Sequence, residues 1–146
     1  MKKALRQQFT LSRKKGSLTA RLEDYLETIS LLDRTRKGTR VKDISRLLKV
    51  RNSSVVSALN TLVRNGLVKH APYGKVLLTG KGYRQAQSII RKHSALFVFL
   101  RDILGLDEVT AEKDACLIEH VVSPDTLRKL TKLVRSYGTK GSLRSS

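Results

Sequence analysis

Leu67-Val68-Lys69-His70-Ala71-Pro72-Tyr73-Gly74-Lys75-Val76-Leu77-Leu78-Thr79 is the stretch that decides the fold. Two short apolar runs flank Ala71-Pro72-Tyr73-Gly74, so it reads as strand, tight turn, strand. Its place in the chain adds to that. Upstream, Val41, Ile44, Leu47 and Leu48 mark a short helix, and Lys49-Val50-Arg51-Asn52 reads as a turn. A second helix then carries Val55, Val56, Leu59, Leu62 and Val63, with Asn52 or Ser53 as its N-cap. Asn65-Gly66 ends it, because Gly readily takes the left-handed geometry of a helix C-terminus. Short helix, turn, helix and basic hairpin is the winged helix-turn-helix order.

On the N-terminal side, Leu22, Tyr25, Leu26, Ile29 and Leu32 form a helical apolar stripe with Thr19 as N-cap, and Lys37-Gly38-Thr39 breaks it. On the C-terminal side, Thr79 caps a long helix from about Gly80 to Leu104, which Gly105 stops. A shorter helix covers about Val109 to Val121. Ser123-Pro124 starts the last, with Leu127, Leu130, Leu133 and Val134 on its apolar face. The expected fold is mainly α with a small β-hairpin wing. Its parts are a basic flexible arm (1–18), a winged helix-turn-helix domain (19–79), a helical domain (80–137) and a Gly/Ser-rich disordered tail (138–146). Within the arm, Leu5 to Leu11 has the pattern of a short helix.

The formal net charge is +18, a field that attracts polyanions, nucleic acid first. From Ile44 to Arg101 there is no Asp or Glu, while Arg46, Lys49, Arg51, Arg64, Lys69, Lys75, Lys81 and Arg84 fall in that stretch. The acids cluster in Glu23–Asp43 and Asp102–Asp125. A nucleic-acid reader is therefore expected between regions with another job. No apolar run is long enough to cross a membrane, and no secretory signal is visible. A single cysteine excludes an intrachain disulfide and suits a reducing cytoplasm. There is no His-Glu-x-x-His, no Gly-rich phosphate loop and no paired base and nucleophile, so no enzyme is expected.

The reader's residues follow from the helix face. Arg51, Asn52, Ser53, Ser54, Ser57, Asn60 and Thr61 are small or basic donors and acceptors suited to base edges and phosphates. Val55, Leu59 and Leu62 lie opposite them. At the wing tip, Tyr73 and Lys75 can approach phosphate or the minor groove. The pattern alone does not separate DNA from duplex RNA; groove-reading helices favour DNA.

Cys116-Leu117-Ile118-Glu119-His120 carries a different chemistry. Thiol, carboxylate and imidazole fall at i, i+3 and i+4, one helical face, and make a transition-metal donor set. Asp24 and Glu27 share a face of the first helix, and His93 lies on the long helix after the wing.

Leu22-Glu23-Asp24-Tyr25-Leu26-Glu27, the winged helix, Arg91-Lys92-His93 and Ala115-Cys116-Leu117-Ile118-Glu119-His120 together resemble the diphtheria toxin repressor family of iron- and manganese-dependent repressors. The resemblance spans Thr19 to Tyr137 and looks like the short, two-domain form typical of manganese regulators. It implies a homodimer joined through its C-terminal helices, double-stranded DNA with a palindromic operator as partner, and no membrane. It implies metal ligands at Asp24, Glu27, His93, Cys116, Glu119 and His120. Asp24 and Glu27 resemble the manganese branch, whereas Cys116 resembles the iron branch. Mn(II) or Fe(II) is the expected cofactor, with Co(II) or Zn(II) able to substitute in vitro. Phe97 departs from the family pattern, falling where many members carry a glutamate ligand. The expected function is metal-activated repression of metal-homeostasis genes; the rival is a metal-independent winged-helix or architectural protein whose charge supplies its affinity.

Overall fold

The structure, a computed structural model, describes residues 18–142; the predicted arm, with its Leu5–Leu11 helix, and residues 143–146 lie outside them. Among the described residues six α-helices and one hairpin follow in order: α1 (Ala20–Leu32), α2 (Val41–Leu48), α3 (Asn52–Arg64), β1 (Val68–His70), β2 (Val76–Leu78), α4 (Gly80–Val98), α5 (Glu108–Ile118) and α6 (Pro124–Ser142). The expected class, mainly α with a two-stranded wing, is the observed one.

Thr19 caps α1, its hydroxyl accepting from the Leu22 N–H at 3.3 Å. The stripe Tyr25, Leu26 and Ile29 is buried, and with Ile44, Val55, Leu59, Leu62, Leu67 and Val76 it forms the first core. That core binds the three helices to the hairpin. The strands are antiparallel, with Val68 opposite Leu78 and His70 opposite Val76. Thr39 and Val76 exchange backbone hydrogen bonds of 2.9 and 2.8 Å, tying the loop after α1 to the wing.

Thr79 fixes how the reader meets the rest of the chain. Its hydroxyl accepts from the Gly82 N–H at 3.0 Å and donates to the Gly66 carbonyl at 2.7 Å. Here α4 leans so closely on the hairpin base that a Cβ on Gly82 would sit 1.9 Å from the Leu67 carbonyl oxygen. Along its length α4 serves both cores. Ala86 and Ile89 belong to the first, while Leu96 joins Leu100, Ala111 and Ala115 in a second.

The structure corrects the sequence reading at several ends. Neither Asn52 nor Ser53 caps α3: the N-cap position is Arg51, with no side-chain cap bond. Val56 and Val63 are exposed, leaving Val55, Ala58, Leu59 and Leu62 as the buried face of α3. The long helix does not run as α-helix to Leu104; Phe99–Ile103 is a π-helical turn, and Gly105 at φ +74° ends it. The next helix stops at Ile118, so Glu119 and His120 lie in the turn beyond it. Ser123 caps α6 as expected, accepting from the Thr126 N–H at 3.2 Å. That helix continues through Gly138 to Ser142, where composition predicts a disordered tail. Locally, continued helical hydrogen bonding outweighs the poor propensity of Gly138 and Gly141.

Candidate metal centre and nucleic-acid interface

The second core places α5 against α4, and α1 packs on α4 through the first core, so their polar residues meet along one seam. Glu119 is at its centre. Its side chain is 2% exposed, and a carboxylate buried to that degree needs partners. One oxygen lies 2.8 Å from His93 Nδ1; the other lies 3.5 Å from His120 Nε2.

Two donor groups flank it. Asp24, Glu119 and His120 offer ligand atoms within 4.8 Å of one another, with His120 Nε2 2.9 Å from Asp24 Oδ1. His93, Glu112 and Cys116 form the second group to the same limit. There His93 Nε2 lies 3.0 Å from Glu112 Oε2, and the Cys116 sulfur 3.9 Å from both His93 Nδ1 and Glu112 Oε1. Glu27 is half-buried and feels the charges of Glu119, His93, Asp24 and His120. All six sequence-predicted residues therefore gather at one seam, but Cys116, Glu119 and His120 do not act as one helical triplet. Cys116 and Glu119 both reach His93, whereas His120 is the residue that bonds to α1.

Sequence reading missed Glu112 and Glu23. Glu112 precedes Cys116 by one helical turn, a spacing that was available as a signal. Glu23 precedes Asp24, and its Oε2 lies 2.7 Å from His120 Nδ1. Phe97 stacks on His93 with centroids 6.5 Å apart, and the Arg101 guanidinium lies over the Phe97 ring at 4.7 Å. An apolar ring and a cation thus stand where a further carboxylate would extend the second group.

Electrostatics mark the seam as cation-seeking. The hydrogen bond to Glu119 pushes His93 up to about 9 against the effect of burial, with Glu112 adding to it. Burial works against a charged His120, yet the Glu23 hydrogen bond and the Asp24 and Glu119 charges hold its pKa above the ordinary value. Burial, then the charge of Glu112 and Glu119, pushes the Cys116 thiol up to about 11. Burial, followed by Glu119, also raises Glu27. In a chain of net charge +18, five carboxylates (Glu23, Asp24, Glu27, Glu112 and Glu119) surround two imidazoles. Even with both rings protonated the seam would stay negative. Carboxylate, imidazole and thiol donors fit a divalent first-row cation.

On the reader, Arg51, Asn52, Ser53, Ser57 and Asn60 are exposed on α3, and Ser54 is half-buried. Thr61 instead bonds within its helix, donating to the Ser57 carbonyl at 3.4 Å. Tyr73 and Lys75 are exposed at the wing, with Tyr73 at φ +58°.

Comparison with known proteins follows the same division. Residues 17–76 match the description "Iron dependent repressor, N-terminal DNA binding domain". Residues 79–140 match "Iron dependent repressor, metal binding and dimerisation domain". An uncharacterized HTH-type transcriptional regulator of Methanocaldococcus jannaschii is 35% identical over 120 residues, which is 82% of this chain and 96% of that one. The HTH-type transcriptional regulator MntR of Bacillus subtilis (strain 168) is 32% identical over 119 residues, 82% of this chain and 83% of that one. Among solved structures, the manganese regulator SloR superposes with a TM-score of 0.69 at 30% identity, covering 78% of this chain. The match spans 53% of the SloR chain, about half its length.

Proposed function

This chain belongs to the iron-dependent repressor family, and from that premise we propose a homodimeric repressor of metal-homeostasis genes, activated by Mn(II) or Fe(II). It is a metal-dependent, DNA-binding transcriptional regulator with a winged-helix reader. Among the described residues no helix is long and apolar enough to cross a membrane.

The observation that carries the reading is the position of Glu119, which joins His93 of α4 to His120 and, through His120, to Asp24 of α1. Asp24, Glu27, His93, Cys116, Glu119 and His120 would hold the cation, and Glu112 joins them. A bound divalent ion supplies positive charge that lets these carboxylates face one another without repulsion. The chain's own residues do the rest. Asp24 and Glu27 project from α1, whose Leu26 and Ile29 are packed in the core that also holds α3. Fixing α1 against α5 therefore fixes α3 relative to the second core.

Dimerisation has its own support. Leu104, Val109, Leu117 and Val121 are 57, 78, 63 and 60% exposed. The last three recur at four- and eight-residue spacing along one side of α5 and its turn, an unpaired apolar stripe suited to a second copy. In the dimer the two α3 helices would meet half-sites about one helical turn apart on a palindromic operator. Arg51, Asn52, Ser53, Ser54, Ser57 and Asn60 would enter the major groove, with Tyr73 and Lys75 on the flanking backbone.

A DNA mobility-shift assay on the protein's own promoter region tests this, comparing Mn(II), Fe(II) without oxygen, Zn(II) and chelator. Retarded complex with Mn(II) or Fe(II) and its loss with chelator are expected. Equal retardation in chelator would favour a metal-independent DNA-binding protein.

A further inference from the structure

We propose that Glu23 is the positioning residue of this metal centre, holding the His120 ring so that Nε2 faces Asp24 and Glu119. The inference rests on the functional reading above. The two ring nitrogens have different surroundings. Nε2 is 2.9 Å from Asp24 Oδ1 and 3.5 Å from Glu119 Oε1, within the three-donor group. Nδ1 points away from that group and lies 2.7 Å from Glu23 Oε2. An imidazole that binds a cation through one nitrogen keeps its proton on the other. A carboxylate accepting that proton's hydrogen bond fixes the tautomer and ring plane and strengthens the free nitrogen as a donor.

Local explanations of Glu23 do not suffice. Thr19 is the N-cap of α1, so Leu22 is the third helical residue and Glu23 the fourth. Glu23 is thus one place past the position from which a capping-box acid bonds back. Its side chain is nevertheless only 16% exposed, and its one ion pair among the described residues is with His120. Glutamate is seldom buried to this extent unpaired. Glu23 and Asp24 are consecutive in α1, so one turn of that helix grips a single ring at both nitrogens. The grip spans 97 residues of sequence and joins the two cores.

The test uses the full chain, its Glu23→Leu and Glu23→Gln variants, and Co(II) and Mn(II) titrated in competition with a fluorescent chelator. Glu23→Leu keeps side-chain bulk but removes the acceptor, and should weaken both ions on the order of 10–100-fold. Glu23→Gln, whose amide oxygen still accepts from Nδ1–H, should lie closer to wild type than to Glu23→Leu. The visible bands of the saturated Co(II) complex should keep the wild-type pattern in both variants, because the ligands themselves are unchanged. Wild-type affinity in Glu23→Leu, or Glu23→Gln as weak as Glu23→Leu, would overturn the proposal. A changed band pattern would also overturn it, by making Glu23 a ligand. If the wild-type chain takes up neither ion, the functional reading fails and this inference falls with it.

Discussion

At the residue scale, the proposed ligands Cys116 and His93 carry protons that a cation would have to displace. The thiol is pushed up to about 11 by burial and by Glu112 and Glu119, and the imidazole up to about 9 chiefly by the Glu119 hydrogen bond. Both are protonated at neutral pH, whereas a metal ligand must be thiolate or neutral imidazole. With Cys116 and His93 as ligands, uptake would expel protons, and affinity should rise with pH. Titrating Mn(II) or Co(II) at several pH values from 6.5 to 8.5 should show progressive tightening, with calorimetric heats that depend on the buffer's protonation enthalpy. A pH-independent affinity would remove Cys116 and His93 from the ligand set. Cys116→Glu should move the metal ranking from Fe(II) or Co(II) towards Mn(II), since a carboxylate is the harder donor. An unchanged ranking in competition titrations would place Cys116 outside the coordination sphere. Cys116, Glu119 and His120 were legible as donors because they are rare or closely spaced. Glu112 was not singled out, because one acid among several looks like a solvated face. Glu23 was hidden because its partner is 97 residues away, and it takes the packing of both α1 and α5 on α4 to bring them together.

At the element scale, the order α1 to α6 with its hairpin was readable because apolar spacing, Thr19, Thr79, Ser123, Gly66 and Gly105 are local signals. Two details were not. The π turn at Phe99–Ile103 widens the end of α4 without any Pro or Gly to announce it. The early end of α5 at Ile118 leaves Glu119 as its C-cap, still helical in φ and ψ, and the residues at that end are ordinary helix formers. The junction of reader and α4 makes a sharp demand of its own. A Cβ at residue 82 would lie 1.9 Å from the Leu67 carbonyl oxygen, which is backbone and cannot swing aside. Gly82→Ala should destabilise the fold by about 1–3 kcal/mol despite alanine's better helix propensity. Urea unfolding of the metal-free protein reads this directly; equal or greater stability would mean that α4 stands off from the hairpin.

At the scale of the whole molecule, charge and symmetry do different work. The net charge of +18 favours any DNA, while in the proposed mechanism the negative seam and the apolar stripe would supply control. Leu117→Asp with Val121→Asp should convert the dimer to monomers in sedimentation, and the monomers should lose operator affinity while still taking up metal. Dimers that persist would place the interface elsewhere. The central claim is linkage: a cation at the Glu119 seam and an operator at α3 favour one arrangement of the chain. Linkage is reciprocal, so DNA must tighten metal binding by the factor with which metal tightens DNA binding. The decisive measurement is Mn(II) affinity with and without saturating operator duplex. We expect operator to tighten Mn(II) binding by about 5–150-fold, matching the Mn(II)-dependent gain in operator affinity. Identical Mn(II) affinity in the two conditions would contradict the account.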